Sequence, residues 1–155
     1  MKKKTFTLML FFSVSFGFLF SGNYGLLHNS SEKKVISMTD GPVSSPFSPA
    51  ILINDMLYVS GQLSINPETG RFEGETMAEQ AERILKNIEI LCKKAGMNLS
   101  HVVKTTVFIT DFSEFREFNE VFVKMFPSSP PTRATVHVAG LAMNAKIEIS
   151  AVAVK

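Results

Sequence analysis

The sequence predicts an α+β fold, with one mostly antiparallel sheet and two helices packed on one of its faces. Three observations predict it. Thr76 to Gly96 has the caps and apolar spacing of a helix, and phenylalanines recur at helical spacing after Asp111. Six short runs rich in apolar or β-branched residues lie around these two segments.

The strand signals begin with Lys34 to Met38. Ala50 to Ile53 and Leu57 to Gly61 flank Asn54-Asp55, a plausible hairpin turn. Asn66 to Gly74 reads as a loop, with Asn66, Pro67 and Gly70 as turn residues. Thr76 and Glu79 then have the spacing of a capping box, in which hydroxyl and carboxylate each satisfy a free backbone N–H. Ala81, Ile84, Leu85, Ile88, Leu91, Cys92 and Ala95 follow as one apolar stripe, and Gly96 stands where a helix C-cap belongs. Cys92 lies on that stripe and reads as a core residue, not a nucleophile. Val102 to Thr110 is a β-branched strand. Asp111 or Ser113 starts the second helix, which carries Phe115, Phe118, Phe122 and Met125 on its apolar face and stops at Pro127. Thr132 to Val138 and Lys146 to Val154 are the last two strands, expected to form an antiparallel pair.

The N-terminus has a separate character. Lys2-Lys3-Lys4 precedes an apolar run from Leu8 to Phe20, and then Ser21, Gly22 and Asn23. A positive start, an apolar centre of about 7–15 residues and a small-residue end make a secretory signal. The run is shorter than the ~20 residues of a spanning helix. Its cleavage site is poor, so an uncleaved anchor stays open beside a removed signal. The division expected is 1–22 as signal or anchor, 23–33 as linker and 34–155 as the domain, with the domain exported.

Charge narrows the function classes. Residues 1–22 hold three of the 16 basic residues and none of the 14 acidic ones, so the remainder carries 13 against 14, a net of −1. That balance gives no electrostatic footprint for nucleic acid. His28, His101 and His137 are scattered and lack metal-ligand spacing, so no metal is expected. No glycine-rich phosphate cradle is present, and the single cysteine permits no intramolecular disulfide.

Candidate chemistry lies in the last two strands. Alternation puts Ala134, Val136 and Val138 on one face, expected toward the helices, and Arg133, Thr135 and His137 on the other. Glu148 shares a face with Lys146 and Ser150, opposite Ile147, Ile149 and Ala151. If these strands pair, Arg133 and Glu148 converge, either as a modest cross-strand salt bridge or as a site.

Tyr58-Val59-Ser60-Gly61-Gln62, Asn66-Pro67-Glu68-Thr69-Gly70, Lys104-Thr105-Thr106-Val107-Phe108, Phe118-Asn119, Pro131-Thr132-Arg133-Ala134 and Lys146-Ile147-Glu148-Ile149 follow one another along the chain. In this order and spacing they resemble the RidA (YjgF) family of imine deaminases. The resemblance runs from Val35 to Lys155. It implies a chorismate-mutase-like fold and a homotrimer with active sites in the clefts between subunits. It also implies hydrolysis of 2-aminoacrylate-type enamines and imines to 2-oxo acids and ammonia, without a cofactor. On this resemblance Arg133 clamps the substrate carboxylate, for which a guanidinium supplies two parallel hydrogen bonds. Glu148 holds or activates the attacking water. Ser60 and Gly61 line the cleft, although the Ser60 hydroxyl reads equally well as a strand-end cap. Asn119 lies near the substrate or is simply an exposed helix residue. Thr135 stands where many relatives have cysteine, and its backbone helps to hold the water.

Two positions depart from the family pattern. Gly-Pro-Tyr appears here as Ser45-Pro46-Phe47, so Phe47 lacks the hydroxyl that reaches the substrate, and His137 replaces a frequently acidic residue. The rival readings are a trimer that binds small carboxylates without turning them over, and RNA cleavage. The charge balance and the lack of an interleaved basic and aromatic stripe weigh against RNA.

Overall fold

The computed structural model describes residues 32–39 and 46–155. The expected export segment, and all of the expected linker except Glu32 and Lys33, lie outside the described residues. Among the described residues no helix is long and apolar enough to cross a membrane.

Six strands form one sheet: β1 (Lys34–Ile36), β2 (Ala50–Ile53), β3 (Met56–Gln62), β4 (Val102–Ile109), β5 (Thr132–His137) and β6 (Ile147–Val154). Their order across the sheet is β1-β2-β3-β6-β4-β5. All pairings are antiparallel except β4 with β5. Helices α1 (Met77–Lys94) and α2 (Phe115–Met125) cover one face. This is the predicted α+β class.

The local signals explain most elements. Asn54 adopts φ 51° in the β2–β3 turn, a left-handed conformation that asparagine tolerates better than most residues. At the start of α1 the Thr76 side chain accepts from Glu79 N–H, and the Glu79 carboxylate accepts from Thr76 N–H. The backbone N–H groups of Thr76 and Glu75 both donate to the ionised carboxylate and hold the Glu79 carboxyl below its ordinary range. At the far end Gly96 takes φ 71°, so that Met97 N–H reaches Cys92 O at 2.8 Å. The α1 stripe is buried throughout, Cys92 included, and burial pushes the Cys92 thiol up to about 11. A buried neutral thiol of this kind is a core residue.

The second helix starts later than expected. Asp111 binds Ser113 through both its backbone N–H and its hydroxyl, closing a local turn, and helix α2 begins at Phe115 after Glu114. The Glu114 carboxylate is instead a tertiary clip: it accepts from Met77 N–H at 2.7 Å and pairs with Lys146. The Lys146 hydrogen bond, followed by that from Met77, lowers its pKa. Helix α2 is thereby tied to the start of α1 and to the chain entering β6.

The last two strands do not pair. Strand β6 runs antiparallel between β3 and β4, and β5 lies parallel to β4 at the sheet edge. The reason is α2. A helical crossover returns the chain to the end of the sheet where β4 began, so the strand that follows it is parallel.

This placement also reverses the expected facing of β5. Its register sets Thr105 opposite Arg133, Val107 opposite Thr135 and Ile109 opposite His137. Thr105, Val107 and Ile109 are fully buried under the helices. Arg133, Thr135 and His137 therefore face the helix layer, while Ala134 and Val136 face the uncovered side. Alternation correctly separated the two sets but could not say which set met the helices. At an edge strand the helix layer is incomplete, and a long cationic side chain lies over aromatic rings there more readily than in a closed core.

Candidate functional site

Helix α2 and strand β5 hold Arg133 from two sides. Its Nη2 donates to Asn119 Oδ1 at 2.8 Å. Its guanidinium carbon lies 4.7 Å from the ring centre of Phe122, 5.2 Å from Phe118 and 5.7 Å from Phe115. Those three rings are the apolar face predicted for α2. Attraction to the negative faces of the rings fixes the guanidinium without neutralising it. Partial burial lowers the Arg133 pKa, yet a guanidinium stays charged throughout the physiological range. Asn119 engages one of its five N–H donors. Beside Arg133 is an open depression lined also by Val123, Pro130 and Pro131. Asn119 is half-buried and is the hydrogen-bond partner of Arg133.

Thr135 and His137 continue the same face of β5. The His137 Nε2–H donates to Thr110 O at 3.0 Å, and its ring lies 6.0 Å from that of Phe112. Thr135 is half-buried between them.

The other sequence-predicted residues gather around a bulge in β3. Val59 pairs with Ala151 and Gln62 with Ile149, so Ser60-Gly61 is one residue more than its partner strand supplies. Ser60 Oγ donates to Ser48 O at 2.7 Å, and Ser60 N–H donates to Pro49 O at 3.0 Å. The hydroxyl secures the segment carrying Phe47, which is the strand-end role weighed for it. Gln62 Nε2 donates to Ser60 O and closes the bulge. A Cβ on Gly61 would lie 2.0 Å from Glu148 Oε1, so any larger residue there displaces the carboxylate from its present position. Glycine lets the carboxylate lie directly against the backbone. Glu148 has no hydrogen-bond or ion-pair partner among the described residues. Phe47 is 60% exposed and borders the same region as Gly61.

Arg133 and Glu148 do not converge within one chain. Glu148 is opposite Phe108 on β4, and Phe108 is opposite Val136 on β5. Two strand spacings and three residues therefore separate Arg133 from Glu148, roughly 14 Å at the backbone. They also lie on opposite faces of the sheet. The expected convergence rested on a β5–β6 pairing that does not form.

Residues 38–155 match the profile of a family described as Endoribonuclease L-PSP. The chain belongs to this family. Reactive Intermediate Deaminase A, chloroplastic, of Arabidopsis thaliana is 41% identical over 126 residues, which span 81% of this chain and 67% of that one. The 2-iminobutanoate/2-iminopropanoate deaminase of Homo sapiens is 38% identical over 124 residues, spanning 79% of this chain and 90% of that one. Among solved structures, RidA from the Antarctic bacterium Psychrobacter superposes with a TM-score of 0.73 at 35% identity, covering 79% of this chain and 99% of the other. E. coli TdcF, solved with bound serine, superposes with a TM-score of 0.70 at 32% identity, covering 79% and 98%. The resemblance drawn from the Ser-Gly-Gln, Thr-Arg-Ala and Lys-Ile-Glu-Ile motifs is thereby borne out at the level of family and fold.

Proposed function

We propose that the chain hydrolyses 2-imino acids of the 2-iminopropanoate and 2-iminobutanoate type to 2-oxo acids and ammonia. The observation that carries this reading is the held Arg133 guanidinium, in a chain 37–41% identical to proteins named as reactive intermediate deaminase or 2-iminobutanoate/2-iminopropanoate deaminase. Arg133 receives the substrate carboxylate on its remaining donors. Glu148 takes a proton from water as the water oxygen bonds to the imine carbon. The C=N π pair moves to nitrogen, which accepts that proton and gives a carbinolamine. A second proton passes from the new hydroxyl to nitrogen, the C–N bond breaks, and the 2-oxo acid and ammonia leave. The imine carbon is already electrophilic, so the step calls on no cofactor.

Because Arg133 and Glu148 occupy opposite faces, the reaction requires two copies of the chain. We infer a homotrimer in which the Arg133 side of one copy meets the Glu148 side of the next. The uncovered sheet face supports association: Val35, Met56, Tyr58 and Val136 are 37–45% exposed there, spread around Lys104, Thr106 and Ser150. Family membership under an endoribonuclease description leaves RNA cleavage as the alternative to exclude, and the net charge of −1 outside residues 1–22 gives RNA little to bind.

The test is ammonia release from freshly generated 2-iminopropanoate by the purified chain, with light scattering on the same sample. Turnover by a species of three chains is expected. A folded protein without turnover overturns the activity, and an active monomer overturns the shared site.

A further inference from the structure

A depression of ≈ 240 Å³ lies on the uncovered face of the sheet, opposite the face that carries Arg133. Strand register builds it. Tyr58 on β3 is opposite Val152 on β6, and Val152 is opposite Lys104 on β4. One row along, Ser150 on β6 is opposite Thr106 on β4. Residues two apart on a strand share a face, so these side chains stand together. The result is one ammonium and three hydroxyls around Val152, and no acidic residue lines the depression.

The chain does not use these groups internally. Neither the Lys104 ammonium nor the Thr106 and Ser150 hydroxyls have a hydrogen-bond or ion-pair partner among the described residues. The Tyr58 hydroxyl reaches the Met56 sulfur at 3.6 Å, and a thioether is a weak acceptor. Glu148, one row further along β6, is opposite Phe108 and lies against Gly61. Four donor groups therefore share the depression, and the charge among them is positive, which selects an anion over a cation. Donor shape narrows the choice. A planar carboxylate is matched by the fork of a guanidinium, which Arg133 supplies on the other face. A lysine is a point charge with rotatable donors. With hydroxyls from three strands around it, it suits an oxyanion that accepts in several directions.

We propose that this depression binds a tetrahedral oxyanion, as free phosphate or as the phosphoryl end of a small ester. The site is independent of imine hydrolysis and of Arg133. It also bears on association. Covering this face with a second copy takes the ammonium out of water, and a retained anion supplies the counter-charge that an isolated buried lysine lacks.

The experiment is equilibrium dialysis of the purified chain against labelled inorganic phosphate, in chloride buffer at fixed ionic strength. Saturable binding is expected, with a Kd on the order of 1 mM. Lys104→Met should raise that Kd at least about tenfold, and Thr106→Val or Ser150→Ala should raise it roughly 2- to 12-fold. Arg133→Ala should leave it unchanged, which separates this site from the guanidinium on the other face. Competition with glycerol phosphate distinguishes the two sources: weaker displacement than by unlabelled phosphate identifies the free ion, and equal or stronger displacement the ester. Should Lys104→Met fail to fold, as read by circular dichroism, Ser150→Ala is the deciding variant. Absence of saturable binding, binding unchanged in the folded variants, loss in Arg133→Ala, or equal displacement by acetate overturns the site. Each of these leaves imine hydrolysis standing.

Discussion

The two faces of the sheet treat their charged residues differently. On the helix face Arg133 is held before any substrate arrives, by Asn119 and three phenylalanine rings. On the uncovered face Glu148 lies against Gly61 with no polar partner among the described residues. The first arrangement is complete within one chain. The second leaves a carboxylate on the face of the sheet that the helices do not cover. In the proposed assembly a protomer carries two half-sites, one on each face of the sheet.

Glu148→Gln should break the uncovered half. The amide keeps the shape but cannot take the proton from water, so kcat should fall by about 10²–10⁴ with the assembly intact. Steady-state turnover beside light scattering checks this, and near-wild-type turnover removes Glu148 from the mechanism. Arg133→Ala should break the other half. Loss of a bidentate charged contact costs about 2–4 kcal/mol, roughly 30- to 1000-fold in kcat/KM. The fold should survive, because the cation–π contacts add only about 0.5–1 kcal/mol at an exposed position. A folded Arg133→Ala protein with unchanged kcat/KM refutes the carboxylate clamp.

Gly61→Ala tests whether position alone matters on the Glu148 side. The new Cβ would lie 2.0 Å from Oε1, so the carboxylate must move. Displacement by about 1 Å can cost on the order of 10²-fold in rate. Activity should fall by about that factor while the arginine half still binds a carboxylate, which inhibition by a 2-oxo acid would report. Equal loss of inhibitor binding would mean that the two halves are not separable.

Phe47→Tyr should have the smallest effect and the opposite sign. A neutral hydrogen bond to a short substrate is worth about 0.5–1.5 kcal/mol, a gain of roughly 2- to 12-fold in kcat/KM on iminopropanoate. The gain should shrink for a long apolar imine, whose side chain takes the place of the hydroxyl. A drop on short and long substrates alike would show that the Phe47 ring is not at the substrate.

How much was legible depended on the range of the interactions. The α1 helix was readable from end to end because its cap pair, stripe and terminal glycine all lie within a single run of chain. The β2–β3 turn and the aromatic face of α2 were readable for the same reason. The start of α2 was misjudged because Asp111 binds Ser113 locally, while Glu114 is engaged with Met77 and Lys146, distant in sequence. Motif resemblance identified Arg133, Asn119, Gly61 and Glu148 as residues to examine. It could not tell that Gly61 is glycine to admit the Glu148 carboxylate, because the register of β3 on β6 decides that.

By itself the sequence determined the elements, their apolar faces, the family and the residue types available for chemistry, since each of these follows from spacing along the chain. Tertiary structure alone decided the neighbours. Helix α2 returns the chain parallel to β4, so β5 and β6 lie on either side of β4 and not beside each other as expected. That one pairing turns Arg133 toward the phenylalanines and leaves Glu148 on the far face. Alternation fixes which residues share a face, but only packing against the rest of the molecule determines which face is covered.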